Sequence, residues 1–324
     1  MKKLWLFLVL SLLTGCSSLF HVNQSKQETP FRVALLVEGS IYDQGWDEQA
    51  YLGLKQIERT MGAQTSYLEY INTTSLRRKS VETFAKQGYS LIFGNGRGFE
   101  KTFNELAVQY PATHFVFFNG HPSGPNVSAV NFTPESLGYF SGMAAALMTK
   151  SHVIGLIPAF GDLKEIQPFI MAAKAQNPKN RIMIQSVNDW NNRMKAGCIA
   201  RKMIKGGADI LVPMGDGFSI QVIMEAHNAN ALAIGYISDQ SFVSKKTVIT
   251  STIQQVSKLY LEVAKEYKTH TLRSGSLYFD FKDGVQELAP FGPMVPSQVQ
   301  RKLFYEIQRY KEGTFVLPVQ RNIE

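Results

Sequence analysis

The chain is expected to fold as an α/β protein with two doubly wound, Rossmann-like halves, and three observations predict it. Apolar runs of strand length alternate with helical patterns from residue 31 onward. Such repeated β-α-β-α order demands parallel strands covered by helices on both faces. The strands are also too many for one comfortable sheet, so two lobes are the natural solution.

The first strand is read over residues 31–38 and the first helix over 43–61. A strand at 64–70 and a helix at 75–87 follow, then a strand at 90–94, a helix at 99–109 and a strand at 114–118. The strand at 127–132 leads into a helix at 134–149. That start is well marked: Thr133 is an N-cap, Pro134 occupies the first turn and Glu135 adds an acid there. Strands at 153–158, 181–185, 208–213 and 232–236 alternate with helices at 164–175, 192–205 and 218–227. The last stretch, 296–311, is amphipathic, with Val299, Leu303, Phe304, Ile307 and Tyr310 on one side and Arg301, Lys302, Arg309 and Lys311 as a basic face. Docking on its own domain accounts for such a helix; a partner on the basic face is the alternative. No sequence repeat of roughly 20–50 residues is visible, which excludes a solenoid.

The 324 residues, 44% apolar and 19% charged, suffice for a substantial core. Of the formal charge of +8, Lys2 and Lys3 belong to the N-terminal segment expected to be cut away. The surplus of about +6 that remains suits an anionic lipid surface. The basic residues are dispersed, and the densest runs, Arg77-Arg78-Lys79 and Lys245-Lys246, are short. Nucleic-acid binders carry a concentrated stripe, so no nucleic-acid partner is expected.

The N-terminus opens with Met1-Lys2-Lys3 and an apolar run from Leu4 to Leu13, too short for a normal membrane span. Leu13-Thr14-Gly15-Cys16 resembles the lipobox of bacterial lipoproteins. The resemblance implies a signal peptide over 1–15, acylation of Cys16 and a polar tether over 16–30. With Cys16 modified, Cys198 has no disulfide partner. Its small, apolar surroundings, Ala196-Gly197-Cys198-Ile199-Ala200, predict a buried, inert thiol.

In doubly wound sheets ligands meet the loops at the carboxyl ends of the strands. Here those loops carry Asp43, Trp46 and Asp47 after the first strand, and Asn95 with Phe99 after the third. Asn119 follows the fourth. The second half adds Phe160, Gly215 with Asp216, and Asp239, with Phe169 as a further ring. Rings sandwich a planar face, while carboxylates and amides read hydroxyl and amine edges, an outfit for a flat, polar small molecule. The glycines Gly94, Gly96 and Gly98 do not make a dinucleotide loop, because the third falls one position early. There is no G-x-S-x-G elbow, Walker loop, H-E-x-x-H or paired-cysteine zinc spacing. No enzyme, cofactor or metal is expected.

The lipobox, Asp43-Gln44-Gly45-Trp46-Asp47, Gly215-Asp216-Gly217, Gly235-Tyr236-Ile237-Ser238-Asp239-Gln240 and Thr250-Ser251-Thr252-Ile253-Gln254 together resemble the basic membrane lipoprotein family. The likeness runs over about residues 32–317. It implies the type I periplasmic-binding-protein fold, two lobes joined by three crossovers with ligand clamped between them. The crossovers are expected at 119–126, 236–239 and 280–284, giving lobe 1 as 31–120 plus 238–276 and lobe 2 as 121–237 plus 277–317.

The family includes substrate-binding lipoproteins of nucleoside importers. The resemblance therefore implies a receptor anchored on the extracytoplasmic face of the cell membrane, passing a nucleoside-like ligand to an ABC permease. By that likeness Asp43 occupies the family's loop aspartate, Trp46 its aromatic and Asp47 its asparagine, while Asp239 matches the aspartate that holds ribose hydroxyls. Asn119 stands where nucleoside binders carry an aspartate, and Gln254 where they carry a lysine, so a different ligand, or none, stays open. Within the family the chain most resembles the Med-like branch of Gram-positive bacteria, which implies the alternative of a positive regulator of competence that retains the fold.

Overall fold

The structure, a computed structural model, describes residues 30–43 and 45–318. The expected signal peptide, Cys16 and residues 16–29 of the tether lie outside the described residues. In chain order the strands are β1 (Arg32–Leu36), β2 (Gln64–Leu68), β3 (Leu91–Gly94), β4 (His114–Phe118), β5 (Val127–Phe132) and β6 (Val153–Pro158). There follow β7 (Arg181–Ile184), β8 (Ile210–Met214), β9 (Leu232–Gly235), β10 (Val248–Gln254), β11 (Gly275–Phe279) and β12 (Gln286–Leu288). The helices are α1 (Trp46–Met61), α2 (Thr74–Lys86), α3 (Glu100–Leu106), α4 (Pro134–Met148), α5 (Ile166–Gln176), α6 (Arg193–Lys205), α7 (Ser219–Asn228), α8 (Val256–Lys268) and α9 (Ser297–Lys311).

Two six-stranded sheets result. The first has the order β11-β5-β4-β3-β1-β2 and the second β12-β10-β9-β8-β6-β7. All neighbours are parallel except β12, which runs antiparallel to β10. Side chains alternate across a strand, so each central strand feeds two cores. On β1, Val33 and Leu35 join Phe93, Val116 and Phe118 beneath α1 and α8. Ala34 and Leu36 join Ile92, Phe115 and Phe117 beneath α2 and α3 on the opposite face. The second sheet divides likewise: Ile154, Leu156, Ile210 and Val212 face α4 and α5, while Ile157 and Leu211 face α6 and α7. Fully burying one such aliphatic side chain contributes about 1.5–3 kcal/mol, which is why four covered faces hold the two sheets firmly.

The sheet topology corrects two of the three expected crossovers. β5 pairs with β4 in the first sheet, so the chain first changes lobe at Thr133, between β5 and α4, and not at 119–126. The eight-residue link between β4 and β5 lacks the helix that normally joins parallel strands, and so it read as a hinge. Its backbone is instead tied down by Asn126, whose Nδ2 donates to the carbonyls of Ala107, Tyr110 and Thr113 at 2.7–3.1 Å. The second change comes at Gln255 and not at 236–239, because β10 pairs with β9 before α8 returns to the first lobe. The third lies between β11 and β12. Lobe 1 therefore holds β1–β5, α1–α3, α8 and β11, and lobe 2 holds the rest.

Strands β10, β11 and β12 and helix α8 were not anticipated. β10, Val-Ile-Thr-Ser-Thr-Ile-Gln, carries three adjacent hydroxyl residues, yet all three are buried. Thr250 Oγ1 donates to the Ala289 carbonyl, and Ser251 Oγ and Thr252 Oγ1 accept from the backbone N–H groups of Gln240 and Ile237. Helix α9 docks on lobe 2 through Leu303, Ile307 and Tyr310. Phe304 is not on the docked side; it is exposed and meets Phe291 edge-on. Cys198 is also a correction: it lies on the outer face of α6, exposed, where Arg201 Nη2 donates to its sulfur at 3.2 Å. Among the described residues no helix is long and apolar enough to cross a membrane.

Candidate interlobe binding site

The site is built at the start of α1. A helix leaves its first N–H groups without partners. Asp43 supplies them: its carboxylate accepts from the N–H groups of Gly45 (2.8 Å), Asp47 (3.0 Å) and Glu48 (3.1 Å). The helix consequently begins at Trp46, three residues later than expected. Capping fixes Trp46 and Asp47 at the carboxyl end of β1. The Trp46 ring stands edge-on to Phe118 and Phe132, with centroids 5.7 and 5.9 Å away, and touches the cores of both lobes.

Asp47 is buried and fully engaged. Its Oδ2 accepts from Gly39 N at 2.8 Å and its Oδ1 from Asn95 Nδ2 at 2.7 Å. Asn95 Oδ1 in turn accepts from the Tyr260 hydroxyl at 2.8 Å. Burial pushes the Asp47 carboxyl up to about 6, the Asn95 hydrogen bond opposes this and the neighbouring Asp43 adds to it.

Lobe 2 brings Asp216 against this surface. A methyl group added at Gly45 would just reach van der Waals contact with Asp216 Cβ, at 3.5 Å, so the two lobes face each other here with about a methyl group of room between them. Asp216 keeps part of its surface open, but its Oδ1 is buried with no hydrogen-bond partner among the described residues. Burial, then repulsion from Asp43 and Asp47, raises its carboxyl to about 7. Three acidic side chains from two lobes thus converge beside one indole ring.

Behind Asp216, the Tyr236 hydroxyl donates to Glu165 Oε1 at 3.2 Å, next to a cavity of about 10 Å³ bordered by Ser141, Met214 and Thr252. Such a volume is just enough for one water. Burial raises both the Glu165 carboxyl and the Tyr236 phenol. Ile237, one residue on, is held at φ 66°, a conformation that costs a β-branched residue on the order of 1–3 kcal/mol. Three hydrogen bonds impose it: Ile237 N to Thr252 Oγ1, Gln254 N to Ile237 O and Ser238 N to Tyr236 O.

Of the residues singled out in the sequence, the structure brings Asp43, Trp46, Asp47, Asn95 and Asp216 together at the seam. Gly215 is buried beside Asp216 and packs on the Phe218 ring. Gln254 is buried at the second crossover. Asn119 is exposed at φ 60° beyond β4, and Phe160 packs edge-on against Trp190. Asp239 is exposed and its Oδ1 closes a local turn to Ser241 N. Phe99 and Phe169 do not wall the seam: both are fully buried, Phe99 in the core of lobe 1 with Phe103 and Phe169 between α4 and α5. The sequence reading missed Tyr260 and Glu165 as contributors, and held Tyr236 only as a member of the motif over residues 235–240. Tyr260 stands 165 residues from the amide it binds, and no local pattern reports such a pairing.

Two parallel α/β lobes, three crossovers and a polar seam at the strand ends define a two-lobed binding protein of the type I periplasmic class. The match of residues 31–319 to the family described as "Bmp: ABC transporter substrate-binding protein PnrA-like" goes further: the chain belongs to that family. It is 33% identical over 316 residues to the transcriptional activator protein med of Bacillus subtilis, covering 96% of each chain. It is 27% identical over 291 residues to a purine-binding protein of Brucella abortus, covering 88% of this chain and 82% of the other. Among solved structures it is similar to a transcriptional activator of the comK gene from Bacillus halodurans, with a TM-score of 0.83 and 34% identity over 89% of this chain and all of that one.

Proposed function

We propose that the chain is a membrane-anchored receptor that closes its lobes on a nucleoside-like small molecule and delivers it to an ABC permease. The observation that carries this reading is the seam itself, where the Trp46 ring stays partly exposed and Asp216 holds an acceptor unsatisfied among the described residues. A nucleoside base supplies the flat face and the N–H or O–H donors that such a surface lacks. Family membership and the purine-binding relative support the same class of ligand. Attachment through an acylated Cys16 would hold the lobes on the extracytoplasmic face. Native mass spectrometry of membrane-extracted protein tests this, expecting a diacylglycerol mass on Cys16 at the new N-terminus.

A second reading is supported by the extent of likeness to the two transcriptional activators. In it the lobes sense a ligand and a protein partner reads the closure. Asp239, turned to a local hydrogen bond, and Asn119, exposed without a carboxylate, favour a ligand set different from that of a nucleoside importer. Isothermal calorimetry of the purified chain against a panel of nucleosides and nucleobases tests the leading reading. Saturable one-to-one heat with at least one member is expected. Silence across the panel, together with unimpaired nucleoside uptake in cells lacking the protein, would leave the regulatory reading standing.

A further inference from the structure

The three acids at the seam are not equivalent. Asp43 uses both oxygens on three backbone N–H groups, and Asp47 uses both on Gly39 and Asn95. Asp216 contributes a buried oxygen that none of the described residues satisfies. Burying an unpaired carboxylate costs several kcal/mol unless a partner arrives. The titratable groups that bear on it are Asp43 and Asp47 from lobe 1 and Tyr236 from the end of β9, with Glu38 and Glu48 behind Asp47 and Asp43. All are acids. Among the described residues, none of the ion pairs includes Asp43, Asp47 or Asp216.

The Arg193 guanidinium of α6 is engaged one residue away, its Nε donating to the Gly217 carbonyl at 2.7 Å, and makes no ion pair with Asp216. Closure of the lobes therefore brings acid against acid without an ion pair among the described residues. A metal ion is a poor answer, because four of the six oxygens already accept hydrogen bonds from N–H donors. A single N–H on a positively charged group answers it directly, since a charge-assisted bond to Asp216 Oδ1 meets the missing partner and screens the three acids from one another.

Resting on the reading of the seam as the ligand site, we infer that Asp216 is a specificity-determining residue, selecting ligands that carry a positively charged nitrogen over neutral ones of the same shape. A cationic ligand binds the ionised carboxylate, so its affinity rises with pH through the range near 7 in which Asp216 sheds its proton. A neutral ligand that accepts a hydrogen bond from protonated Asp216 behaves the opposite way.

The test is calorimetry on the full chain in detergent at pH 6 and pH 8 with adenosine, inosine, 1-methyladenosine (a cation at neutral pH) and spermidine, repeated with Asp216→Asn. The expected result is 1-methyladenosine binding at least about tenfold tighter than adenosine at pH 8, tighter at pH 8 than at pH 6, and with this preference abolished by the substitution. Spermidine binding alone, sensitive to Asp216→Asn, would uphold the charge rule while removing the nucleoside reading. Adenosine or inosine binding as tightly as 1-methyladenosine, with no loss in the variant, would overturn the inference and keep the nucleoside reading. No binding of any of the four would overturn both.

Discussion

The two lobes share an architecture but prepare their facing surfaces in opposite ways. In lobe 1 each acidic oxygen of Asp43 and Asp47 meets a donor from its own lobe, and the line Gly39–Asp47–Asn95–Tyr260 is closed at both ends. In lobe 2 Asp216 arrives at the same seam with Oδ1 unpartnered among the described residues. One surface is complete without a guest, whereas the other is complete only with one. The polar residues of a cleft thus divide into those that shape it and those that wait, and hydrogen-bond satisfaction separates them more sharply than residue type does.

The most damaging way to break this contrast is to open the completed side. Asn95→Ala leaves Asp47 Oδ1 and the Tyr260 hydroxyl buried without partners, and a loss of about 3 kcal/mol is expected, read as a fall in the urea midpoint. Next in size is relief of the incomplete side. Asp216→Asn removes a buried charge and is expected to stabilise the unliganded chain by on the order of 2 kcal/mol at pH 8, with the gain shrinking as pH falls and vanishing only below about pH 4. The sign follows from the raised carboxyls. Asp216 near 7 and Asp47 near 6 lie above their ordinary value of 3.8, so the stability they contribute is present in full below about 4. It is lost as pH rises through 6 and 7. Melting temperatures of the wild-type chain between pH 4 and pH 8 should therefore decline, and the variant should decline less.

The smallest effect belongs to the third crossover. Tyr310 on α9 donates to Asp280 Oδ2 at 2.6 Å, tying the C-terminal helix of lobe 2 to the segment that follows β11. Tyr310→Phe is expected to cost about 1 kcal/mol of stability. If that bond steadies the hinge, hydrogen exchange at residues 280–285 should quicken while the seam residues keep their protection. Unchanged exchange in that segment would confine Tyr310 to packing on α4.

Much of the fold was legible because buried parallel strands announce themselves. Leu91–Gly94 and Ile210–Met214 are unbroken apolar runs, and every residue in both is buried. β10 hid because its Thr250-Ser251-Thr252 centre looks like surface, and only the hydrogen bonds to Ala289, Gln240 and Ile237 make those hydroxyls tolerable inside. The site was legible where a loop's own chemistry defined it, as at Asp43 and Trp46. It was misread at Phe99 and Phe169, because nearness to a strand end does not say which way a ring points. Phe99 turns inward at the close of the short helical turn Arg97–Phe99 and lies against Phe103. Nothing local to Gly215-Asp216-Gly217 announced that one oxygen would be left bare.

A crystal structure of the chain grown with its tightest-binding ligand from the four-compound panel would show whether Asp216 is the acceptor that a guest completes. The ligand is expected between the lobes, its ring against Trp46 and a charged N–H within about 3 Å of Asp216 Oδ1. A ligand bound away from the seam, with that oxygen still unpartnered, would contradict it.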